Sequence, residues 1–182
     1  MRIIAGHAKG RRLAVSPGLH TRPTADRVRE ALFSVIMPRL AGAKVLDAFA
    51  GSGALGLEAL SRGAETALFI EDDAAAQKAL RRNVENCRLP GAKIIYGDAL
   101  RFLRHNKERY DIIFLDPPYY ADLLQKALVA ILYADAVAAD GLIVAETAAR
   151  EAFYPPVGLA VNKHSVYGDT ALYYLGVIDF KK

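Results

Sequence analysis

The chain has 182 residues, of which 53% are hydrophobic and 24% charged, and this composition predicts a globular fold with one sizeable core. No apolar stretch approaches the roughly 20 residues that span a bilayer, and the first residues lack the apolar segment of a signal peptide. The single cysteine, Cys87, excludes an internal disulfide and suits a reducing cytoplasm, and together with four dispersed histidines it forms no zinc-binding pattern.

The excess positive charge lies entirely in the amino-terminal part of the chain. Residues 1–40 carry eight Lys and Arg against two acids, whereas residues 41–182 carry 16 against 18. We therefore predict a basic extension at 1–40 that binds a polyanion and a catalytic domain at 41–182, although an ordinary solvated surface would carry the same charges. Within the extension, two short segments predict a hairpin around Lys9-Gly10. A helix is predicted to begin with Thr24 as its N-cap and to run to about Leu40.

Short apolar runs alternate with helical stretches over residues 43–148, which is typical of a parallel α/β sheet. The predicted strands are 44–49, 66–70, 92–96, 110–115 and 142–145, and the predicted helices are 55–62, 73–87, 100–107 and 122–133. Two further extended runs, 159–167 and 171–180, flank a Gly-Asp pair and predict an antiparallel hairpin at the end of the fold.

A glycine-rich loop lies between the first strand and the first helix of this alternating region. The residues Gly51-Ser52-Gly53-Ala54-Leu55-Gly56 fit the G-x-G-x-x-G pattern, which lets the backbone approach a ligand closely at a helix start. Glu71 ends the next strand, where it would accept both ribose hydroxyls of a nucleoside or simply begin the following helix. Taken alone, this loop fits an NAD-dependent dehydrogenase as well as a methyltransferase.

Acidic residues at the ends of the predicted strands favour the methyltransferase. Asp47 precedes the first glycine by four residues, where a carboxylate would hold the ammonium group of S-adenosylmethionine and repel the pyrophosphate of NAD. An equally good role for Asp47 is to orient the loop by accepting its amides. Asp98 closes the third strand and would reach an adenine amino group or shape a turn. Because these positions are carboxyl ends of parallel strands, we expect them to meet at one ligand-binding edge.

The most specific motif is Asp116-Pro117-Pro118-Tyr119, which follows the apolar run 112–115. Two prolines fix two φ angles and remove two backbone donors, so free carbonyls project from a stiff turn. A carboxylate, carbonyl acceptors and an aromatic face are what an exocyclic amino group on a flat base requires. The motif therefore predicts methylation of a nucleobase nitrogen, with a proline-rich strand exit as the simpler alternative.

Four widely spaced blocks of the chain resemble the bacterial RsmD family: residues 2–13, 22–33, 45–64 and 116–119. The resemblance covers essentially the whole chain. It implies a class I methyltransferase fold, which is Rossmann-like with seven mostly parallel strands and an antiparallel last strand. It also implies that S-adenosylmethionine is used to methylate the N2 amino group of one guanine in 16S ribosomal RNA. We expect the substrate to be RNA within a partly or fully assembled small subunit, and the enzyme to be a monomer.

The predicted site residues form three groups, and we expect no metal among them because the leaving group is neutral. The predicted catalytic residues are Asp116, Pro117, Pro118 and Tyr119. Asp116 and Pro117 would accept the amino hydrogens, and Tyr119 would stack on the flipped base. The predicted cofactor-binding residues are Thr24, Asp47, Phe49, Ala50, Gly51, Ser52, Gly53, Glu71, Asp72, Asp98, Ala99 and Asp116. The predicted RNA-binding residues are Lys9, Arg11, Arg12, Arg22, Arg27 and Arg29.

Two other functions are open at this level. A DNA adenine-N6 methyltransferase would share the Asp-Pro-Pro-Tyr turn, although the chain has no evident extra domain to read a DNA sequence. A non-catalytic RNA-binding or ribosome-assembly factor would keep the same fold, although the intact loop and turn favour an enzyme. Binding of S-adenosylmethionine and the identity of the methylated nucleic acid separate the three.

Overall fold

The structure is a computed structural model that describes residues 1–15, 23–118 and 121–178, with side chains omitted from the description at 23–25 and 121. Seven strands and five helices are present in these ranges. In chain order they are α1 (Pro23–Ile36), β1 (Lys44–Asp47), α2 (Ala54–Ser61), β2 (Thr66–Glu71), α3 (Ala74–Cys87), β3 (Ala92–Tyr96), α4 (Ala99–His105), β4 (Tyr110–Leu115), α5 (Ala121–Tyr133), β5 (Val137–Ala148), β6 (Leu159–Tyr167) and β7 (Thr170–Val177). None of the helices in these ranges is long and apolar enough to cross a membrane.

The strands form one sheet in the order β3-β2-β1-β4-β5-β7-β6. Strands β1 to β5 run parallel to one another, whereas β7 is antiparallel to both β5 and β6. This arrangement confirms the predicted seven-stranded, mostly parallel sheet and its antiparallel last strand. Because β1 lies between β2 and β4, the chain changes direction across the sheet at β1, and a crevice opens there beyond the strand ends.

Apolar residues cover both faces of the central strands, as a sheet between two helix layers requires. Val45 and Phe114 pack in one core cluster with α1, α2 and α3, whereas Leu46 and Leu115 pack in the other with α4 and α5. Since successive side chains of a strand point to opposite faces, the odd positions of β1 and the even positions of β4 share one face. We call the side covered by α1, α2 and α3 the first face.

The amino-terminal extension packs on this first face. Ile3, Leu13, Phe33 and Ile36 belong to the same buried cluster as Phe114. Residues 1–40 share one core with the rest of the chain. Their separate role as an RNA-binding extension is therefore proposed on functional grounds. The predicted hairpin consists of a single antiparallel bridge between positions 2 and 12, because the chain between them turns back onto α2.

Helix α2 holds that turn through its buried polar side chains. The Glu58 carboxylate, with 0% exposure, accepts hydrogen bonds from the backbone N–H groups of Ile4 and Ala5 at 2.7 and 3.0 Å. The Ser61 hydroxyl donates to the Ala5 carbonyl at 2.6 Å. Gly6 has a φ of +80°, and a Cβ atom there would overlap the backbone oxygen of Ser61. The extension is thus fastened to the helix that follows the glycine-rich loop.

Several predicted boundaries differ from the structure, two of them by four or more residues. Helix α1 ends at Ile36, before the expected Leu40, because Pro38 lies in a short 3₁₀ turn and disfavours helical geometry in the residue before it. Strand β5 begins at Val137, five residues before the predicted start. Val137 pairs with Tyr110 and Leu142 pairs with Ile112, so residues 138–141 lie in an irregularity of the β4–β5 pairing.

Candidate active site

Strand register brings the predicted acids to one edge of the sheet. Asp47 on β1 pairs with Phe69 and Phe114, so Glu71 lies two residues further along β2 and Asp116 directly follows the end of β4. The alternation of side chains places Asp47 and Glu71 on the first face, and the charges of Glu71 and Asp116 both act on Asp47. The expectation that these acids meet at the carboxyl ends agrees with this register, and their individual roles are taken up below as proposals.

The glycine-rich loop has two tight positions and one open one. A Cβ atom on Gly53, whose φ is +78°, would crowd Leu80, and a Cβ atom on Gly56 would overlap the ring of Phe69. Gly51, whose φ is +53°, has no atom within 4 Å of the place where its Cβ would lie. The later glycines thus bring α2 against the sheet, whereas Gly51 leaves free space over the loop for a ligand.

Asp47 supports the loop from beneath. Its residue is 1% exposed, and Oδ2 accepts a hydrogen bond from the Gly56 N–H at 3.0 Å. Burial raises the pKa of Asp47 to about 7, against the opposing effect of the Gly56 bond, and the nearby Asp116 and Glu71 raise it further. Of the two roles predicted for Asp47, the structure displays the loop-orienting one, and contact with an ammonium group stays a proposal.

Glu71 joins the end of β2 to the glycine-rich loop. Its Oε2 accepts a hydrogen bond from the Gly51 N–H at 2.6 Å, and its Oε1 accepts from the N–H groups of Asp72 and Asp73 at 3.0 and 2.9 Å. Asp73 is the N-cap of α3 and accepts from Ala75 and Ala76. Glu71 therefore does not start this helix, and its carboxylate lies beside the open space over Gly51.

The remaining cofactor candidates lie on several other elements. Asp98 is exposed and caps α4 by accepting from the Arg101 N–H at 2.6 Å, and Ala99 is the buried first residue of that helix. The half-buried Phe49 and the buried Ala50 and Ser52 lie in the loop, and Asp72 is exposed just after β2. Thr24 is the second residue of α1 rather than its predicted N-cap, because the helix already begins at Pro23.

The Asp-Pro-Pro turn leaves β4 directly beside β1. Residues 116–118 have no regular secondary structure; Asp116 and Pro118 are exposed, whereas Pro117 is buried. Water reaches Asp116, but the protein packed around its carboxyl group removes enough solvent to raise its pKa above the ordinary value. Tyr119, the predicted stacking residue, lies outside the described residues.

One acid of this edge was missed by the sequence analysis. Glu146 on β5 is half-buried and directly follows the apolar run 142–145, just as Asp116 follows the run 112–115. Leu115 pairs with Ala145, so Asp116 and Glu146 occupy neighbouring positions on adjacent strands. Burial, and then the charge of Asp116, raise the pKa of Glu146. The repeated pattern of an acid after an apolar strand was the signal that could have found it.

Asn83 is a second residue that sequence reasoning missed. It is 0% exposed on α3, and its Nδ2 donates to the carbonyls of Ser52 and Ala14, both at 2.8 Å. Its Oδ1 accepts from the Ala14 N–H at 2.7 Å. Asn83 therefore links the glycine-rich loop to the amino-terminal extension. The signal in the sequence was the spacing of Asn83, which lies three residues after Leu80 and therefore on the same buried side of α3.

Most of the predicted RNA-binding residues are accessible. Lys9, Arg12 and Arg27 are exposed. Arg11 is also exposed, and its guanidinium donates to the Asn86 carbonyl near the end of α3, so part of its role is to fix the extension. Arg22 lies outside the described residues.

Arg29 is a correction to the sequence analysis. It is 4% exposed, donates to the Arg2 carbonyl at 2.6 Å, and forms ion pairs with Asp26 at 3.1 Å and with Glu58 at 3.9 Å. Desolvation lowers its pKa, although both acids oppose this effect. A guanidinium enclosed in this way cannot contact RNA, so Arg29 is a structural residue of the extension.

A cavity of about 700 Å³ opens elsewhere, at the outer edge of β3 beneath α4. Its lining includes Leu68, Phe102 and Tyr110 but neither the glycine-rich loop nor the acids at the strand ends. The convergence of strand ends, rather than the size of a cavity, therefore identifies the candidate site.

Comparisons with known proteins agree with this geometry. The family model described as conserved hypothetical protein 95 matches residues 1–176. "Ribosomal RNA small subunit methyltransferase D" of Escherichia coli K12 is 38% identical over 174 residues, covering 94% of this chain and 87% of that protein. "Putative rRNA methyltransferase YlbH" of Bacillus subtilis is 39% identical and covers 100% and 99%. The structure of "Putative methyltransferase yhhF" from E. coli matches with a TM-score of 0.88 and 36% identity over 97% of both chains. This chain therefore belongs to the RsmD family.

Proposed function

We propose that the protein transfers a methyl group from S-adenosylmethionine to the N2 amino nitrogen of a guanine in 16S ribosomal RNA of the small subunit. The observation that carries this proposal is the turn at Asp116-Pro117-Pro118, which leaves β4 beside a glycine-rich loop with open space over Gly51. Family membership supports the substrate class, because a relative in E. coli is named as a small-subunit ribosomal RNA methyltransferase.

The charges at the site suit this cofactor. Three acids, Glu71, Asp47 and Asp116, lie at the ends of adjacent strands. S-adenosylmethionine carries a sulfonium and an ammonium group, which such acids attract, whereas the pyrophosphate of NAD would be repelled. In the proposed complex Glu71 accepts the ribose hydroxyls, and Asp98 and Ala99 lie beside the adenine. Asp47 and Thr24 lie toward the methionine end.

Residues of the turn would prepare the amino group for attack. When bound, S-adenosylmethionine supplies an electrophilic methyl group, whose transfer forms an N2–carbon bond, breaks a carbon–sulfur bond and leaves a neutral thioether. The Asp116 carboxylate and the Pro117 carbonyl accept the two amino hydrogens, which aims the nitrogen lone pair and stabilises its developing positive charge. Asp116 takes up the proton that N2 loses. Tyr119 stacks on the base, worth roughly 1–3 kcal/mol.

We expect the affinity for S-adenosylmethionine to fall as the pH drops below 7. The pKa of Asp47 is about 7 in the free protein, and a cationic ligand favours its ionised form. Below that pH the carboxyl group must lose its proton on binding, so Kd should rise by up to roughly tenfold per pH unit for one linked proton.

Isothermal titration calorimetry at pH 6 and 8 measures this linkage. Titrations in two buffers with different ionisation enthalpies give the number of protons exchanged on binding. Net release should occur at pH 6, and net uptake by the amino group of the ligand, whose pKa is roughly 7.7–8.0, should replace it at pH 8. The same Kd at both pH values, without proton release, would show that ionisation of Asp47 is not linked to cofactor binding.

Neutralising the exposed charges of the extension should weaken RNA binding. The variant Lys9→Gln/Arg12→Gln removes two accessible cations, and each lost phosphate contact should reduce the slope of log K against log salt by roughly 0.7. Filter binding to 16S RNA at several salt concentrations gives both affinity and slope. The matched control is Arg109→Gln/Lys126→Gln, because these cations are exposed on the α5 side of the sheet. Equal slopes for both double variants would contradict the proposed RNA surface.

Transfer of labelled methyl groups tests the function itself. The substrate is small ribosomal subunits purified from cells that lack this gene, and the product is identified by nucleoside analysis. We expect N2-methylguanosine. Label in duplex DNA as N6-methyladenine would support the DNA enzyme instead, and cofactor binding without any transfer would favour an assembly factor.

A further inference from the structure

We propose that Glu146 determines the specificity for guanine by accepting a hydrogen bond from the N1–H group of the target base, beside Asp116 at the N2 amino group. This inference rests on the proposed function and extends the same base-binding site. Glu146 is the half-buried acid of β5 that neither the glycine-rich loop nor the Asp-Pro-Pro turn includes.

The first step is the position of the two carboxylates. Leu115 of β4 pairs in parallel with Ala145 of β5, so the residues that follow, Asp116 and Glu146, are side by side. Adjacent strands lie roughly 4.8 Å apart. Leu115 and Ala145 belong to the core cluster under α4 and α5, so alternation places Glu146 on the first face, and the charge of Asp116, which directly follows β4, acts on Glu146 there. One flat base lying across the ends of β4 and β5 can meet both carboxyl groups.

The second step is the charge environment of Glu146. The preceding residues 142–145 are all buried, and β4 and β7 flank this part of β5 on its two sides. Within the described ranges, no hydrogen-bond donor or cation meets the Glu146 carboxyl group, and the charge that acts on it is the like charge of Asp116. Burial, and then the charge of Asp116, raise the pKa of Glu146 to about 8 in the free protein. A ligand that offers two adjacent donors favours the ionised form of both acids, so such a ligand is preferred there and its binding releases the proton of Glu146.

The third step is the chemistry of the bases. The Watson–Crick edge of guanine presents N1–H and the N2 amino group next to each other, and ionised carboxylates act only as acceptors. Adenine instead places the acceptor N1 beside its amino group, and this nitrogen would face the lone pairs of Glu146. A matched pair of hydrogen bonds to a base edge discriminates by roughly 10- to 100-fold. Glu146 thus supplies the distinction between guanine and adenine that the Asp-Pro-Pro turn lacks.

The test begins with the wild-type enzyme and the guanine at which it forms N2-methylguanosine. Small subunits are reconstituted with RNA that carries guanine, 1-methylguanine or 7-deazaguanine at that position. We expect 1-methylguanine to lower kcat/KM at least tenfold, because its N1 has no hydrogen to donate. We expect 7-deazaguanine, whose Watson–Crick edge is intact, to react within about threefold of guanine.

The variant Glu146→Met keeps the approximate size of the side chain and removes both acceptor oxygens. Its kcat/KM on guanine should fall roughly 10- to 100-fold, with the Kd for S-adenosylmethionine within twofold of wild type, and its penalty for 1-methylguanine should shrink. A purely structural role of Glu146 would not produce this dependence on the base. The control is Glu151→Met, which replaces an exposed acid after β5 and should behave as wild type.

Each outcome separates this inference from the function on which it rests. Wild-type rates for Glu146→Met on guanine, or equal wild-type rates on guanine and 1-methylguanine, would overturn the role of Glu146 while N2-methylguanosine still supports the function. No methylated guanine with any substrate would overturn the function itself. If Glu146→Met does not fold, the comparison of the three bases with the wild-type enzyme decides.

Discussion

Replacing Asp116 with alanine should lower the rate of methyl transfer by about 10²–10⁴ and leave the affinity for S-adenosylmethionine within a few-fold. The guanine amino nitrogen is a weak nucleophile because its lone pair is delocalised into the ring. Without the carboxylate, one acceptor for its hydrogens and the nearest site for its proton are lost. The Pro117 carbonyl lies on the backbone and is retained in the variant.

The variant Asp116→Asn separates the two contributions of this side chain. Its amide oxygen still accepts a hydrogen bond but takes up no proton, so its rate should lie between those of Asp116→Ala and wild type. Single-turnover kinetics at saturating cofactor gives the rate of the chemical step, and calorimetry gives the cofactor affinity. The control is Asp140→Ala, an exposed acid in the early part of β5. Full activity of Asp116→Ala with cofactor bound would remove Asp116 from the mechanism.

Replacing Glu58 with alanine should lower the free energy of unfolding by about 3–5 kcal/mol. The Glu58 carboxylate is fully buried and accepts from the N–H groups of Ile4 and Ala5 and from Arg62 Nε at 2.7 Å. Its removal leaves these donors unsatisfied and deprives the buried guanidinium of Arg29 of one of its two acids. The extension would then detach from α2, and the folded state would lose much of its stability.

Urea denaturation of wild type and Glu58→Ala measures this difference. A smaller slope of the unfolding free energy against urea concentration would show that the extension has already detached in the folded variant. The matched control is Glu85→Ala, because Glu85 forms an exposed ion pair with Arg81 on α3 and should cost less than about 0.5 kcal/mol. A loss below about 1 kcal/mol for Glu58→Ala would mean that the extension is held by its apolar contacts instead.

Helix phase explains why Arg29 was assigned wrongly. Arg27 and Arg29 are alike in charge and lie two residues apart, yet Arg27 is exposed and Arg29 is buried. Arg29 occupies the same helical stripe as Leu32, Phe33 and Ile36, which are three, four and seven residues further on. The apolar spacing and Asp26, three residues before Arg29, were visible in the sequence, but the second acid was not, since Glu58 lies 29 positions away.

Local sequence patterns were sufficient to predict the sheet, its antiparallel last strand, the glycine-rich loop and the Asp-Pro-Pro turn. These features depend on local properties: the period of apolar residues, the φ angles open to glycine and proline, and the rule that parallel strands end at one edge. Tertiary structure alone decided which polar residues work in pairs. Asp116 and Glu146 meet only through the register of β4 and β5, and Glu58 and Asn83 reach partners more than 50 positions away. Such contacts depend on how the elements pack, because no local pattern specifies which distant side chain lies opposite.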